Sequence, residues 1–421
     1  MNLFLFAVLF ATVLCTSSLP HFLVHFMEEI TLPNSTLGDS FGASIIINKN
    51  VLYIGSPGGT LDTGNVYIYK RFGSKWHIVS TICPHTQPIG SYFGRSMALA
   101  NDYLYIGQPD INFDTGSVSV FAMSRQGLEW HDATTIVPTD MPHHSYFGYN
   151  IDASGNTLIV GAYGFDSSRG MAVIYEHEQN KGVWSRTAEL QDTWTKPGDH
   201  FGFSVAVEGD IAVVGSWCTA HYGLLCSGSA KVFERRSLSG VTDLHCSDLV
   251  ESGIESWVMT QVLEPTVPEA GGRFGYSVKL HDTVIYASMP GQVNTPDGSV
   301  IVFTRPAGQD RYHPAQLILA ERPGQSDDED EADTTNNRFG TSLSVSPRGL
   351  IVGAPSEGPG KAGAVFWFIG TPGNFTQRYS LTAVGDDHVL FGSTVEFDGD
   401  FIAAWARNDD GPSSVMTYVI Q

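Results

Sequence analysis

The sequence predicts an all-β fold, a seven-bladed β-propeller of four-stranded antiparallel blades closed by an N-terminal strand. Three observations predict it. A Phe-Gly pair recurs seven times, at Phe41, Phe93, Phe147, Phe201, Phe274, Phe339 and Phe391. Fourteen residues after each Phe comes a short Gly-Ala-Pro-like element, and that offset never changes. The chain also opens with an apolar stretch, roughly residues 22–32, that belongs to no copy, while the last copy lacks its fourth strand. A period near 50 residues is the mark of solenoids and propellers.

The elements follow in order from each Phe-Gly. Two residues past the Gly stands a small polar residue (Ser44, Ser96, Asn150, Ser204, Ser277, Ser342 or Thr394), and an apolar residue follows it. This alternation marks a strand with two different faces. A tight turn rich in Asn, Gly, Asp or Ser comes next. The second strand, such as Val51 to Ile54 or Leu158 to Val160, is wholly apolar and ends in Gly55-Ser56-Pro57, Gly353-Ala354-Pro355 or their equivalents. A variable loop leads to the third strand, such as Ser117 to Phe121, and a Trp-bearing fourth strand, such as Trp130 to Val137, leads to the next Phe-Gly. Each such unit buries its apolar faces only against neighbours. The orphan strand completes the last blade and joins the two ends of the chain. The inner hydroxyls are expected to satisfy backbone groups near the crowded axis.

Residues 1–18 read as a signal peptide: Leu3 to Cys15 is almost unbroken apolar sequence, too short to span a bilayer. Residues 19–421 read as one propeller domain that is secreted, with no anchor signal before Gln421. The formal net charge of −21 argues against nucleic acid or an anionic membrane as partner. An oxidising compartment permits disulfides. Cys218 and Cys226 share one loop and are expected to pair; Cys83 and Cys246 stay unassigned. Asn34 and Asn374 stand in N-glycosylation sequons.

Phe339-Gly340 through Gly353-Ala354-Pro355, with the Gly-rich loop and strand that follow, resembles the FG-GAP repeat. In that family the propeller forms the ligand-binding head of integrin α subunits. The resemblance implies a seven-bladed head and a role in adhesion. Members often carry a DxDxDG calcium loop between the first and second strands. Here the fixed offset leaves only a tight turn there, so neither calcium nor any other cofactor or metal is expected.

In such a blade the 2–3 and 4–1 loops share one face, and the 1–2 and 3–4 loops share the other. Variable loops on a rigid scaffold usually carry binding. Candidate ligand-binding residues on the first face are Trp217, His221 and Tyr222 in the stapled loop, with Tyr163, Phe165, Asp110 and Asp114 beside it. Asp62 and His143-His144 fall on the same face, as does the acidic run 327–333. The leading expectation is a non-enzymatic module that binds an extracellular protein or matrix component. The alternatives are a single-site glycan-binding lectin and a hydrolase on a propeller scaffold. No nucleophile–base motif appears, and Arg95, Asp152 and Lys279 are the scattered charged exceptions among the innermost positions. An enzyme is therefore not expected.

Overall fold

The computed structural model describes residues 22–32, 37–84, 89–124, 129–178, 181–237, 255–291, 297–322, 337–385, 387–408 and 411–421. The signal segment 1–18, Asn34, Cys246 and the acidic run 327–333 lie outside them.

The sheets form seven antiparallel blades, six of them four-stranded meanders in chain order. Blade 2 is representative. Its strands are Ser96–Ala100, Tyr103–Gln108, Ser117–Met123 and Trp130–Ile136, each paired with the next. Blade 3 follows with Ile151–Ser154, Thr157–Ala162, Met171–Glu178 and Val183–Leu190. Second and third strands are buried on both sides, which is why they read as continuous apolar runs, whereas the fourth strand is mostly exposed at the rim. Blade 7 is built from Val395–Phe397, Phe401–Asn408 and Ser413–Ile420, and Val24–Ile30 adds the outermost strand. That pairing runs from Val24 against Ile420 to Ile30 against Val415. The ring is thus sealed by the two ends of the chain.

The core lies between blades. All seven Phe side chains of the Phe-Gly pairs are fully buried. Each meets an aromatic of its own third strand, for example Phe147 edge-on to Tyr175 at 6.1 Å and Phe274 to Phe303 at 6.0 Å. The Phe backbone also reaches the preceding blade. Gly116, which enters the third strand of blade 2, forms a parallel bridge with Phe147, and five further Gly–Phe pairs repeat it around the ring. The Phe147 amide donates to Thr115 O at 3.0 Å. Gly116 has φ +89°, and a Cβ there would lie 2.1 Å from Phe147 O. Glycine is needed for both reasons.

The inner hydroxyls bridge blades as expected. Ser44, Ser96, Ser204 and Ser342 each donate to the carbonyl of the next Phe-Gly glycine at 2.7 Å. Asn150 plays the converse part and accepts from Val205 N at 2.8 Å.

Gly116→Ala is expected to lower the stability of the ring by about 2 kcal/mol or more, through lost backbone conformation and overlap together. Gly73→Ala, at an equally left-handed turn with nothing near the missing Cβ, should cost only about 1 kcal/mol. Melting temperatures of the two variants by calorimetry check the difference.

Candidate functional site

First strands run down the axis of the ring, and their side chains line a cavity of about 250 Å³. Every blade contributes. At its mouth stand the residues just past the Phe-Gly pairs, among them Arg95, Tyr149, Phe203, Tyr276 and Thr341. Three positions deeper the same strands present Lys279 and Glu396. Asp152 occupies the same repeat position in blade 3, five residues after its Phe.

These three charged groups come from blades 3, 5 and 7 and act on one another. Burial pushes the Glu396 carboxyl up to about 7, the Lys279 charge pulls it partly back, and Asp152 adds repulsion. Ser344 Oγ donates to Glu396 Oε2 at 3.3 Å. Asp152 is also raised by burial, against the Lys279 charge and two backbone donors, Val207 N at 2.8 Å and Ala153 N at 2.9 Å. All three side chains are half-buried. Protein nevertheless surrounds them on every side, and that enclosure governs their titration.

The mouth is aromatic and cationic. Arg95 lies over the Tyr149 ring at 4.4 Å and donates to its hydroxyl at 2.7 Å. Arg273 lies over Trp217 at 5.3 Å. Burial raises the Tyr276 phenol, while the charges of Arg95, Arg273 and Arg338 act against that rise, so three guanidiniums converge here. On an acidic protein this is a local positive funnel.

Beside it, Asp110 is pushed up to about 6, first by burial and then by Asp114, with Arg95 opposing and Asp62 adding to the rise. Asp114 Oδ2 is 2.8 Å from His144 Nδ1 and accepts from Tyr146 OH at 3.4 Å. Tyr146 stacks on Tyr163 at 5.0 Å, and Tyr163 meets Tyr149, Phe203 and His200. His200 stacks on Trp217 at 4.8 Å.

The structure therefore gathers Asp110, Asp114, Tyr163 and Trp217 around the mouth as one wall. It does not bring in the other three candidates. Phe165 packs against the core between blades 2 and 3. Tyr222 is 84% exposed at the loop tip, and His221 sits 3.3 Å from Glu264 away from the axis. Cys218 and Cys226 are joined by a disulfide, and Cys83 is a free, exposed thiol. Asn374 is exposed at the start of a strand. Glu396 escaped the sequence reading. The signal was present, because the fifth residue after each Phe gives one column in which Asp152, Lys279 and Glu396 are the charged members.

The FG-GAP repeat model matches residues 130–175 and 184–233. The chain carries FG-GAP repeats. This bears out the resemblance at the level of the repeat, and the seven blades extend the same pattern around the ring. A comparison with curated protein sequences returns no match. Among solved structures, the FG-GAP propeller is similar to the periplasmic gluconolactonase PpgL of Pseudomonas aeruginosa. The TM-score is 0.48 and the identity 14%, over 80% of this chain and 84% of that one.

The expectation of a non-enzymatic adhesion head is corrected here. Of the aromatic residues expected to present a contact surface, Trp217 and Tyr163 pack against Phe203 beside the mouth, while Tyr222 stays exposed. The convergent charges lie in the axial cavity. No helix among the described residues is long and apolar enough to cross a membrane. The disulfide suits an oxidising compartment.

The raised Glu396 has a measurable consequence for stability. Its carboxyl stays protonated in the fold between the ordinary carboxylate range and about pH 7, where the unfolded chain has already ionised. Stability from this group is thus fullest below the unfolded pKa and is lost as pH rises to about 7. Glu396→Gln is expected to melt like the wild type at pH 4 and at higher temperature at pH 8, as thermal melts across that range will show.

Proposed function

We propose that the axial cavity is an active site that hydrolyses a small ester or lactone bearing an anionic or strongly polar group, in a protein that is secreted. One observation carries the reading: Glu396, with its carboxyl held near pH 7, shares an enclosed cavity with Lys279. A carboxyl poised near the working pH is what general acid–base catalysis needs. A cavity at the small end of ligand pockets limits the substrate to a small molecule.

The roles follow from charge and position. Ionised Glu396 takes a proton from a water molecule, whose oxygen bonds to the acyl carbon. The bond from that carbon to the leaving oxygen then breaks, and the proton passes from Glu396 to the departing alkoxide. The Lys279 ammonium stabilises the negative charge that develops on the acyl oxygen. Asp152, tied to two backbone amides, is a positioning residue that sets the field at Lys279 and Glu396. Arg95 and its tyrosine neighbours at the mouth favour an anionic group on the entering substrate. A single carboxylate base suits reactive acyl bonds better than amides.

The purified protein should turn over members of a panel of small aryl esters and hydroxy-acid lactones, with a rate that rises through about pH 7. Glu396→Gln should lower kcat by about 100-fold or more, and Lys279→Met should lower kcat more than it raises KM. A panel with no substrate, or a Glu396→Gln enzyme as active as the wild type, would sink this assignment.

A further inference from the structure

On the face opposite the mouth, the 1–2 turns of blades 4 and 5 lie side by side. Glu208 ends the first strand of blade 4, Phe201–Glu208, and His281 ends the first strand of blade 5, Val278–His281, with Asp282 next in the turn. One carboxylate oxygen of Glu208, one of Asp282 and one ring nitrogen of His281 all fall within 4.8 Å of one another. Glu208 Oε2 accepts from Thr283 N at 3.1 Å, which fixes the carboxylate against the neighbouring turn. His281 Nε2 is 3.8 Å from Asp282 Oδ2, too far for a hydrogen bond. That nitrogen atom is also buried and has no hydrogen-bond partner among the described residues, while the His281 side chain as a whole is 30% exposed.

A buried ring nitrogen without a partner is costly unless something else satisfies it. Two carboxylates from different directions exclude a simple apolar environment. The nearby guanidiniums are already engaged: Arg305 pairs with Glu234 at 2.5 Å, and Arg235 pairs with Glu176 at 2.8 Å and Asp210 at 3.3 Å. Zinc accepts imidazole and carboxylate together at about 2.0–2.2 Å and takes four ligands. Its ligand atoms then stand roughly 3–4 Å apart, so the three groups need to close by about 1 Å. Asp282 is 86% exposed and can turn to do so. The adjoining hollow, lined in part by Asp210 and Thr283, leaves room for water as the fourth ligand. Calcium, with its need for six to eight oxygens, does not suit a set of two carboxylates and an imidazole.

We propose that Glu208, His281 and Asp282 form a zinc site that pins blade 4 to blade 5. The site lies at the far end of the same first strands, where Glu208 adds to the rise of the Asp152 carboxyl, but its three ligands are not residues of the activity assigned to the axial cavity. It reads the two turns as an inter-blade staple, with one ligand from the first blade and two from the second.

Titration of the chelator-treated full chain with Zn²⁺ alone, followed by calorimetry, tests the site. One equivalent should bind, and zinc should raise the melting temperature by several degrees. Glu208→Gln and His281→Ala should each weaken binding at least about tenfold and abolish the thermal shift, while their zinc-free melts show that the fold is kept. Should His281→Ala fail to fold, Asp282→Asn replaces it. Absence of stoichiometric binding overturns the proposal. So does binding that both variants leave unchanged, binding removed by His144→Ala instead, or an equal response to Ca²⁺.

Discussion

Everything in this ring depends on backbones that approach more closely than a side chain would allow. Six glycines at the start of third strands bridge to the Phe of the next blade. The glycines that end second strands meet the next Phe-Gly from the other side; a Cβ on Gly107, for instance, would lie 2.1 Å from Gly148 O. Two sets of missing side chains thus bring adjacent blades together along the axis, and the buried Phe rings fill the wedge behind them. Where the pattern lapses, bulk replaces it. Trp405 takes the position of the second-strand glycine in blade 7 and packs where a Cβ of Gly42 would be.

That close approach narrows the axis and surrounds its charged side chains with protein. Seven strands converge, so a charge on any one of them is surrounded by six others. Glu396 and Asp152 both respond to this enclosure in the same direction, and both feel Lys279. The molecule is strongly acidic as a whole, yet guanidiniums gather at the mouth. Guanidiniums and carboxylates thus face one another at the mouth, Arg95 against Asp110 among them.

Most of the fold was legible in the sequence because it is repetitive. Phe-Gly, the fixed offset and the unpartnered strand at residues 22–32 determine blade number, strand order and closure, and Val24–Ile30 takes the place assigned to it. The site was less legible for a physical reason. Loops vary, so they attract attention, and Trp217, Tyr163, Asp110 and Asp114 were chosen there. Their neighbours across the mouth, Arg95, Tyr149, Phe203 and Tyr276, come from strands that look structural. Asp152 and Lys279 stood out as isolated charges, but their coupling to Glu396 arises from closing the ring. It is visible in sequence only when the seven copies are aligned and one column is read downward. His281 and Glu208 show the same limit, since 73 residues separate them and only blade adjacency brings their turns together.

The seam at Val24–Ile30 and Ser413–Ile420 also bears on how the chain folds. Thr417 Oγ1 donates to Glu28 O across 389 residues of chain. Six blades of sequence separate this strand from its partner. Contacts of such separation form slowly, and unpaired strand edges invite wrong pairing. His388 Nε2 lies 2.9 Å from Glu29 Oε1 across the same seam. The latch between these two strands makes each blade a neighbour of two others, so that no blade of the ring is left with a free edge face.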